Sequence, residues 1–302
     1  MQANRATTTV AAAVLTETAY AKVNLGLKVL AKRTDGFHEI RSILQNVSVA
    51  DTLHFHPATT FRMSCSDSAL STGQDNLVCR AAALFADAVD RREGGLSYHI
   101  HLEKRIPMGA GLGGGSADAA AVLRGLNRLA GQPLDHSQLQ RLGAELGSDI
   151  PFALVGGTGL VRGRGEILEP LQWVGLPCHY ALVYPGHEVS TAWAYGQVES
   201  GLTEASPYLT FIDSLCGGRV DGMRLRQVLE NDLQALVERA NPIVAELVSG
   251  FDRRGALCSS MTGTGSTVYG IFDDRIAALA VCDELEAEGH RSFFCEPVSM
   301  TK

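Results

Sequence analysis

The chain lacks the marks of a stapled or metal-knuckle protein. Its seven cysteines (Cys65, Cys79, Cys178, Cys216, Cys258, Cys282 and Cys295) form no C-x-x-C pair. An odd, scattered set in a long chain argues against a disulfide framework and against a zinc knuckle. A reducing, cytoplasmic setting is the expectation. Like charges do not run beyond a pair such as Arg91-Arg92, and 26 Lys+Arg stand against 33 Asp+Glu for a net charge of −7. Nucleic-acid binders concentrate basic residues on one face, so no nucleic-acid partner is expected. The stretch from Gly255 to Phe272 is uncharged for 18 residues but crowded with Gly, Ser and Thr, so no membrane span is expected either. Repeats of fixed period and low-complexity tracts are absent.

What is present is a chain of 302 residues, 45% apolar. That is enough for about two domains and for a core that needs no staples. The segment Val10-Ala-Ala-Ala-Val-Leu15, after Arg5 and before Ala19-Tyr20-Ala21, mimics a signal peptide. Its apolar run is only six residues between threonines, and cleavage would remove the strand leading into Lys22. Residues 1–17 are expected to be a disordered extension.

Residues 18–31 alternate through Tyr20, Val23, Leu25, Leu27 and Val29 and predict a strand. A turn at Thr34-Asp35-Gly36 leads into extended segments over 40–49 and 52–61. Apolar residues at 77, 78, 81, 84, 85 and 88 predict a helix over 76–89, and alternation through Tyr98, Ile100 and Leu102 predicts a strand ending by Pro107. Early strands followed by helices indicate an α+β fold.

The segment Pro107-Met-Gly-Ala-Gly-Leu-Gly-Gly-Gly-Ser116 places five glycines in seven residues between a strand and an Ala-rich helix. Glycine admits close approach and positive φ, so successive N–H groups can converge on an anion at a helix N-terminus. Ser116 is expected to cap the helix that follows, whose stripe is Ala119, Ala120, Leu123, Leu126 and Leu129. A P-loop would need Gly-Lys-Ser/Thr at its end, and here the chain reads Gly-Ser-Ala. A dinucleotide fingerprint fits Gly109, Gly111 and Gly114, with Asp135 about 20 residues on. That aspartate should end a second strand, whereas Asp135 with Gln138 reads as a capping box for a helix over 136–146.

Pro107-x-Gly-x-Gly-Leu-Gly-Gly-Gly-Ser116 resembles the phosphate loop of the kinase superfamily that includes galactokinase, homoserine kinase and mevalonate kinase. Three further segments resemble the branch of it that phosphorylates a cytidine diphosphate derivative of methylerythritol. They are Ala21-Lys22-Val-Asn24-Leu-Gly-Leu with Arg33-Thr-Asp35-Gly36-Phe37-His38-Glu39, then Leu146-Gly-Ser-Asp149-Ile-Pro151-Phe152, then Met261-Thr-Gly263-Thr264-Gly265-Ser266. The resemblance covers residues 18 to 297. It implies a two-domain kinase, with a nucleotide-binding domain over 18–160, a substrate domain over 161–302 and the site between them. A related kinase for homoserine, a sugar or mevalonate, and a ligand sensor that keeps the loop without chemistry, are the other readings.

The resemblance also implies roles. Asp149 would be the base and Lys22 the partner that orients the alcohol and stabilises developing charge. Read alone, a strand lysine snorkels outward or serves a site, and an aspartate after Gly147 is a turn or cap residue. ATP would lie along Pro107, Met108, Gly109, Ala110, Gly111, Leu112, Gly113, Gly114, Gly115, Ser116 and Ala117, bordered by Asn76, Leu77 and Lys104. Asn76 also reads as the N-cap of the helix it precedes. Asn24 and His38 would hold the substrate, with Tyr195 or Phe37 stacking on the cytosine. Gly263, Thr264 and Gly265, read locally as a tight turn, would close against loop and substrate. Relatives often have Tyr at Phe37 and Ser at Ala117. Mg²⁺ is expected on the phosphates, its side-chain ligand being Ser116 or Asp118.

Overall fold

The alternation around Tyr20 to Val29 extends in both directions into β1 (Leu15–Lys32), and the chain turns back into β2 (His38–Pro57). The turn is local chemistry: Asp35 Oδ1 accepts from Phe37 N at 3.1 Å. The two extended segments expected over 40–49 and 52–61 are one strand, joined through Ala50 and Asp51 and ending at Pro57. The computed structural model describes residues 13–89, 97–174, 178–198, 210, 219–221 and 229–299. Of the extension expected over 1–17, residues 1–12 lie outside the described residues, and residues 15–17 belong to β1. They are held there because Leu15, Thr16 and Glu17 pair with Phe55, His54 and Leu53. Glu17 is buried and takes Arg124 Nε at 3.2 Å and Arg128 Nη1 at 2.7 Å. The Ala19-Tyr20-Ala21 triplet lies inside the same strand.

β1 lies along β2 from end to end, while β2 also pairs β5 (Thr158–Arg162) through 42–45 and β4 (Tyr98–Glu103) through 52–57. β3 (Arg62–Cys65) beside β4, and β6 (Ile167–Val174) beside β5, extend the sheet outward. Residue 160, the expected domain boundary, falls within β5. The second sheet is antiparallel, built from β7 (His179–Tyr184), β9 (Cys258–Met261), β10 (Val268–Phe272) and β11 (Arg291–Cys295) in the order β11-β7-β10-β9. β8 (Arg219–Asp221) returns to the first sheet beside β6.

Four helices cover one face of the first sheet: α1 (Leu77–Ala88), α2 (Gly114–Leu129), α3 (His136–Leu146) and α4 (Ile150–Val155). Phe55, Phe85, Leu102, Leu123 and Leu126 pack there at 1% exposure or less. The capping box at Asp135 and Gln138 is formed as the sequence indicates. Four more helices pack with the second sheet: α5 (Thr191–Gly196), α6 (Gln234–Ala240), α7 (Ile243–Arg253) and α8 (Arg275–Ala287). A third cluster joins Ala21, Val23, Leu25 and Ile43 to Tyr180, Leu182, Tyr269 and Ile271 of the second sheet. Ile106, Ala110 and Leu112 belong to that cluster, so the apolar residues of the glycine-rich connection are its anchors. None of the helices among the described residues is long and apolar enough to cross a membrane.

Candidate active site

The β1–β2 ladder shifts register between Tyr20 and Lys22 and again between Asn24 and Leu27. Such irregularities re-aim side chains, and here they bracket Lys22-Val23-Asn24. Lys22 is 8% exposed, and its ammonium donates to Asn24 Oδ1 at 2.6 Å and to Gly111 O at 2.9 Å. Asp149 Oδ2 lies 3.8 Å away, a charge contact rather than a hydrogen bond. Burial pushes the Lys22 pKa down, and the Asp149 charge opposes that shift. Lys22 therefore points into a site instead of snorkelling outward.

Asp149 occupies the N-cap position of α4, but its side chain makes no capping bond. Pro151 in the first turn removes one of the N–H groups a cap would serve. The carboxylate is thus spared from a structural task and faces Lys22, with its side chain 36% exposed.

The connection between β4 and α2 is strapped on both sides. Lys22 N donates to Leu112 O at 3.0 Å, and Thr267 N to Ala110 O at 3.3 Å. Gly111 has φ +78°, and a Cβ there would stand 2.4 Å from Thr262 O. Only glycine fits a strand, a loop and a turn that come this close. α2 begins at Gly114 with Gly113 as its cap residue, so Ser116 is not the cap. Gly113 has φ +69°, and a Ser there would carry a side chain against Lys22 Cγ.

Behind the first turn of α2 lies a buried triad. Lys104 Nζ donates to Asp51 Oδ2 at 2.5 Å and to Asp118 Oδ2 at 2.9 Å. Asp51 Oδ1 accepts from Arg105 N at 2.6 Å and Ile106 N at 2.9 Å, which fixes the entry to the glycine-rich loop. Burial, opposed by Lys104 and reinforced by Asp51, raises the Asp118 pKa to about 7. Asp118 Oδ1 is buried with no hydrogen-bond partner. The unpartnered Asp118 Oδ1 leaves a free oxygen lone pair beside the first turn of α2, a hard donor of the kind a hard cation takes.

These groups line one cleft of about 1070 Å³. It brings together Lys22, Asn24, Phe37, His38, Asn76, Leu77, Lys104, Pro107 through Ser116, Asp149, Tyr195, Gly263 and Thr264. Two expected members stand off the lining. Ala117 is buried at 3% exposure in the core between α2 and the first sheet, because its helix phase points inward. Gly265 backs onto Met261 Sδ, 2.6 Å from where a Cβ would be, and shapes the turn from behind. Asn76 is the α1 N-cap, accepting from Val78 N, and also borders the cleft.

At the far end, His38 stacks on Tyr195 with centroids 5.7 Å apart. Burial, then the charge of Lys32, pulls the His38 pKa down. Burial, then Asp149, pushes the Tyr195 hydroxyl up. Phe37 is 51% exposed, and the Arg164 guanidinium lies 5.1 Å over its ring. Sequence reading missed Asp51, Ser42, Thr262 and Arg164. Ser42 accepts from Asn24 Nδ2 at 2.8 Å, and Thr262 Oγ1 accepts from Asn24 N at 2.9 Å. A polar residue inside a buried strand, as at Ser42 and Asp51, is the one signal that could have found them.

The GHMP kinases N terminal domain family matches residues 76–157, and the GHMP kinases C terminal family matches residues 220–291. A 4-diphosphocytidyl-2-C-methyl-D-erythritol kinase of Synechococcus sp. (strain JA-2-3B'a(2-13)) is 42% identical over 281 residues, 89% of each chain. Another, of Syntrophotalea carbinolica, is 40% identical over 286 residues, 92% of this chain and 97% of the relative. The crystal structure of a 4-(cytidine 5'-diphospho)-2C-methyl-D-erythritol kinase superposes with TM-score 0.77 at 32% identity, covering 94% of this chain and 99% of that one. The mevalonate kinase of Methanococcus jannaschii, at 14% identity and TM-score 0.69 over 94% and 98%, shares the fold.

Proposed function

The chain belongs to the GHMP kinases and, among them, to the 4-diphosphocytidyl-2-C-methyl-D-erythritol kinases, and from that premise we propose how its cleft transfers a phosphoryl group. ATP is the donor. The acceptor is the 2-hydroxyl of 4-diphosphocytidyl-2-C-methyl-D-erythritol, a step of non-mevalonate isoprenoid precursor synthesis, carried out in the cytoplasm.

The observation that carries the assignment of roles is the uncapped Asp149 carboxylate 3.8 Å from the buried Lys22 ammonium. Phosphoryl transfer to an alcohol requires positioning, charge neutralisation and a group to accept the hydroxyl proton. A tertiary alcohol is crowded and weakly acidic, so both groups are needed. Asp149 takes the proton. Lys22, held by Asn24 and Gly111 O, orients the hydroxyl oxygen and stabilises the charge that develops on it. The N–H groups of the glycine-rich loop and the first turn of α2 receive the ATP phosphates. Asn76, Leu77 and Lys104 border the adenosine. The cytosine stacks at the His38 and Tyr195 end, with Asn24 reaching the erythritol. Residues up to about 160 supply the nucleotide contacts together with Asn24 and His38 of the substrate end, and residues beyond it supply Tyr195, Gly263 and Thr264.

Magnesium fits this donor set. Asp118, with its unpartnered buried oxygen, and the Ser116 hydroxyl would hold the ion, with waters completing the shell. When bound it neutralises charge on the transferring phosphates.

The test is Asp149→Asn, which keeps the shape and removes the base. General-base catalysis is worth roughly 10²–10⁴-fold, so kcat should fall by about that factor with the KM for ATP little changed. Turnover within a few-fold of the parent would remove Asp149 from the mechanism.

A further inference from the structure

Asn231 lies outside the cleft lining, on the segment just before α6, and neither Lys22 nor Asp149 touches it. Yet its amide is committed to the turn that covers Lys22. Asn231 Nδ2 donates to Met261 O at 2.7 Å and to Gly263 O at 2.9 Å, while Oδ1 accepts from Leu233 N at 3.0 Å. Both amide protons and the carbonyl are thus used, with the donors bridging two carbonyls on either side of Thr262.

The residues flanking Asn231 are fastened to β1. Leu27 N donates to Glu230 O at 2.7 Å, and Asp232 N donates to Leu27 O at 2.9 Å. Asp232 also accepts from Val29 N at 2.9 Å, and its other oxygen takes the buried Lys28 ammonium at 2.5 Å. Glu230 takes the same ammonium at 3.0 Å. Burial lowers the Lys28 pKa, but the bonds to Asp232 and Glu230 outweigh it and the net shift is upward. Asn231 therefore sits on a segment locked to β1 a short way beyond Asn24.

The turn it holds is tight against the reacting groups. A Cβ on Gly263 (φ +58°) would stand 3.1 Å from Lys22 Nζ, 3.2 Å from Asn24 Oδ1 and 3.1 Å from Gly111 O. Thr262 within the same turn accepts from Asn24 N. Lys22 thus has β1 beneath it, the glycine-rich loop on one side and this turn on another. The first two are held by the sheet and by the strapped loop. The base of the turn is closed by Thr262 N donating to Thr267 O at 2.9 Å and by Met261 N donating to Gln234 Oε1 at 2.9 Å, while its carbonyls at 261 and 263 are the ones Asn231 takes from outside.

We infer that Asn231 is a positioning residue for phosphoryl transfer: by clamping the Met261 and Gly263 carbonyls to a segment fixed on β1, it sets how closely the 262–264 turn packs over the Lys22 ammonium. The inference rests on the role given to Lys22 above. Asn231 touches no reacting atom and acts through that turn.

The test is a double-mutant cycle on kcat in the full chain, read by ADP release, with Asn231→Ala, Lys22→Met and the pair. A misplacement of about 1 Å at a reacting group costs about a hundredfold, so Asn231→Ala should lose about that in kcat with the KM for ATP within threefold. In the Lys22→Met background the same change should cost less than threefold, because the group it positions is gone. An equal loss in both backgrounds would make Asn231 merely structural, and no loss in either would overturn the inference outright. Full activity of Lys22→Met alone would instead sink the reading of Lys22, a distinguishable result. If Asn231→Ala does not fold, Gly263→Ala disturbs the same turn from its other side and must show the same loss, again suppressed by Lys22→Met; additivity there overturns the inference.

Discussion

Gly111→Ala would test whether strand, loop and turn meet as closely as the account requires. An alanine forced to φ +78° costs about 1–2 kcal/mol on its own. Its Cβ would also stand 2.4 Å from Thr262 O and 2.9 Å from Gly265 O, both backbone atoms with no rotamer to relieve them. Moving from 2.4 Å to the 3.4 Å of an ordinary contact needs a shift of 1.0 Å by the loop or the turn. Either movement reaches Lys22, whose ammonium donates to Gly111 O and whose N–H donates to Leu112 O. A 1 Å displacement at reacting groups is worth about a hundredfold. The variant should therefore lose about 10² in kcat/KM and, at about 2–4 °C per kcal/mol for a chain of this size, several degrees in Tm. Coupled ADP release and thermal unfolding measure the two. Gly115→Ala in the same run is the contrast, since its Cβ would meet only Leu77 Cδ1 at 3.4 Å and the residue is helical. It should leave Tm unchanged or raise it. Turnover of Gly111→Ala within threefold of the parent, or a Tm loss equal to that of Gly115→Ala, would refute the packing argument.

Two further outcomes follow from the site. Lys22 has its pKa lowered by burial, so its charged form is lost as pH rises through a value below the ordinary lysine range. The pH profile of kcat should accordingly show an alkaline limb, and Lys22→Arg, always charged, should show a lower kcat without that limb; an unchanged limb would assign it elsewhere. Tyr195→Ala removes the ring stacked on His38 and should raise the KM for the cytidyl substrate about tenfold while leaving the KM for ATP alone, the split being read from initial rates at saturating levels of each partner in turn.

Those features whose cause is local were legible in the sequence. The glycine run, the Asp135-Gln138 capping box and the alternation of β1 each report a backbone preference within a few residues, and the structure places them as read. Ser116 as a cap failed for a local reason as well: Gly113 adopts the left-handed conformation and starts α2 early, which no serine-based rule anticipates. The unread part depends on contacts across the chain. Asp51 reaches Lys104 and the 105–106 backbone through the pairing of β2 with β4, and Asn231 reaches Met261 and Gly263 through a segment fastened to β1, contacts between residues far apart in the chain. Asp149 stands between these cases. Its position after a helix stop reads as a cap, and only the structure shows that the cap is not made.

The motifs, the fold and the site converge on one activity of this cleft, phosphorylation of the cytidyl-linked alcohol. The most direct measurement is ADP release by the purified chain with ATP and Mg²⁺, offered 4-diphosphocytidyl-2-C-methyl-D-erythritol beside galactose, homoserine and mevalonate. Turnover is expected on the cytidyl substrate, with background rates on the other three. Turnover on one of those three instead, or ATP binding with silence on all four, would contradict it.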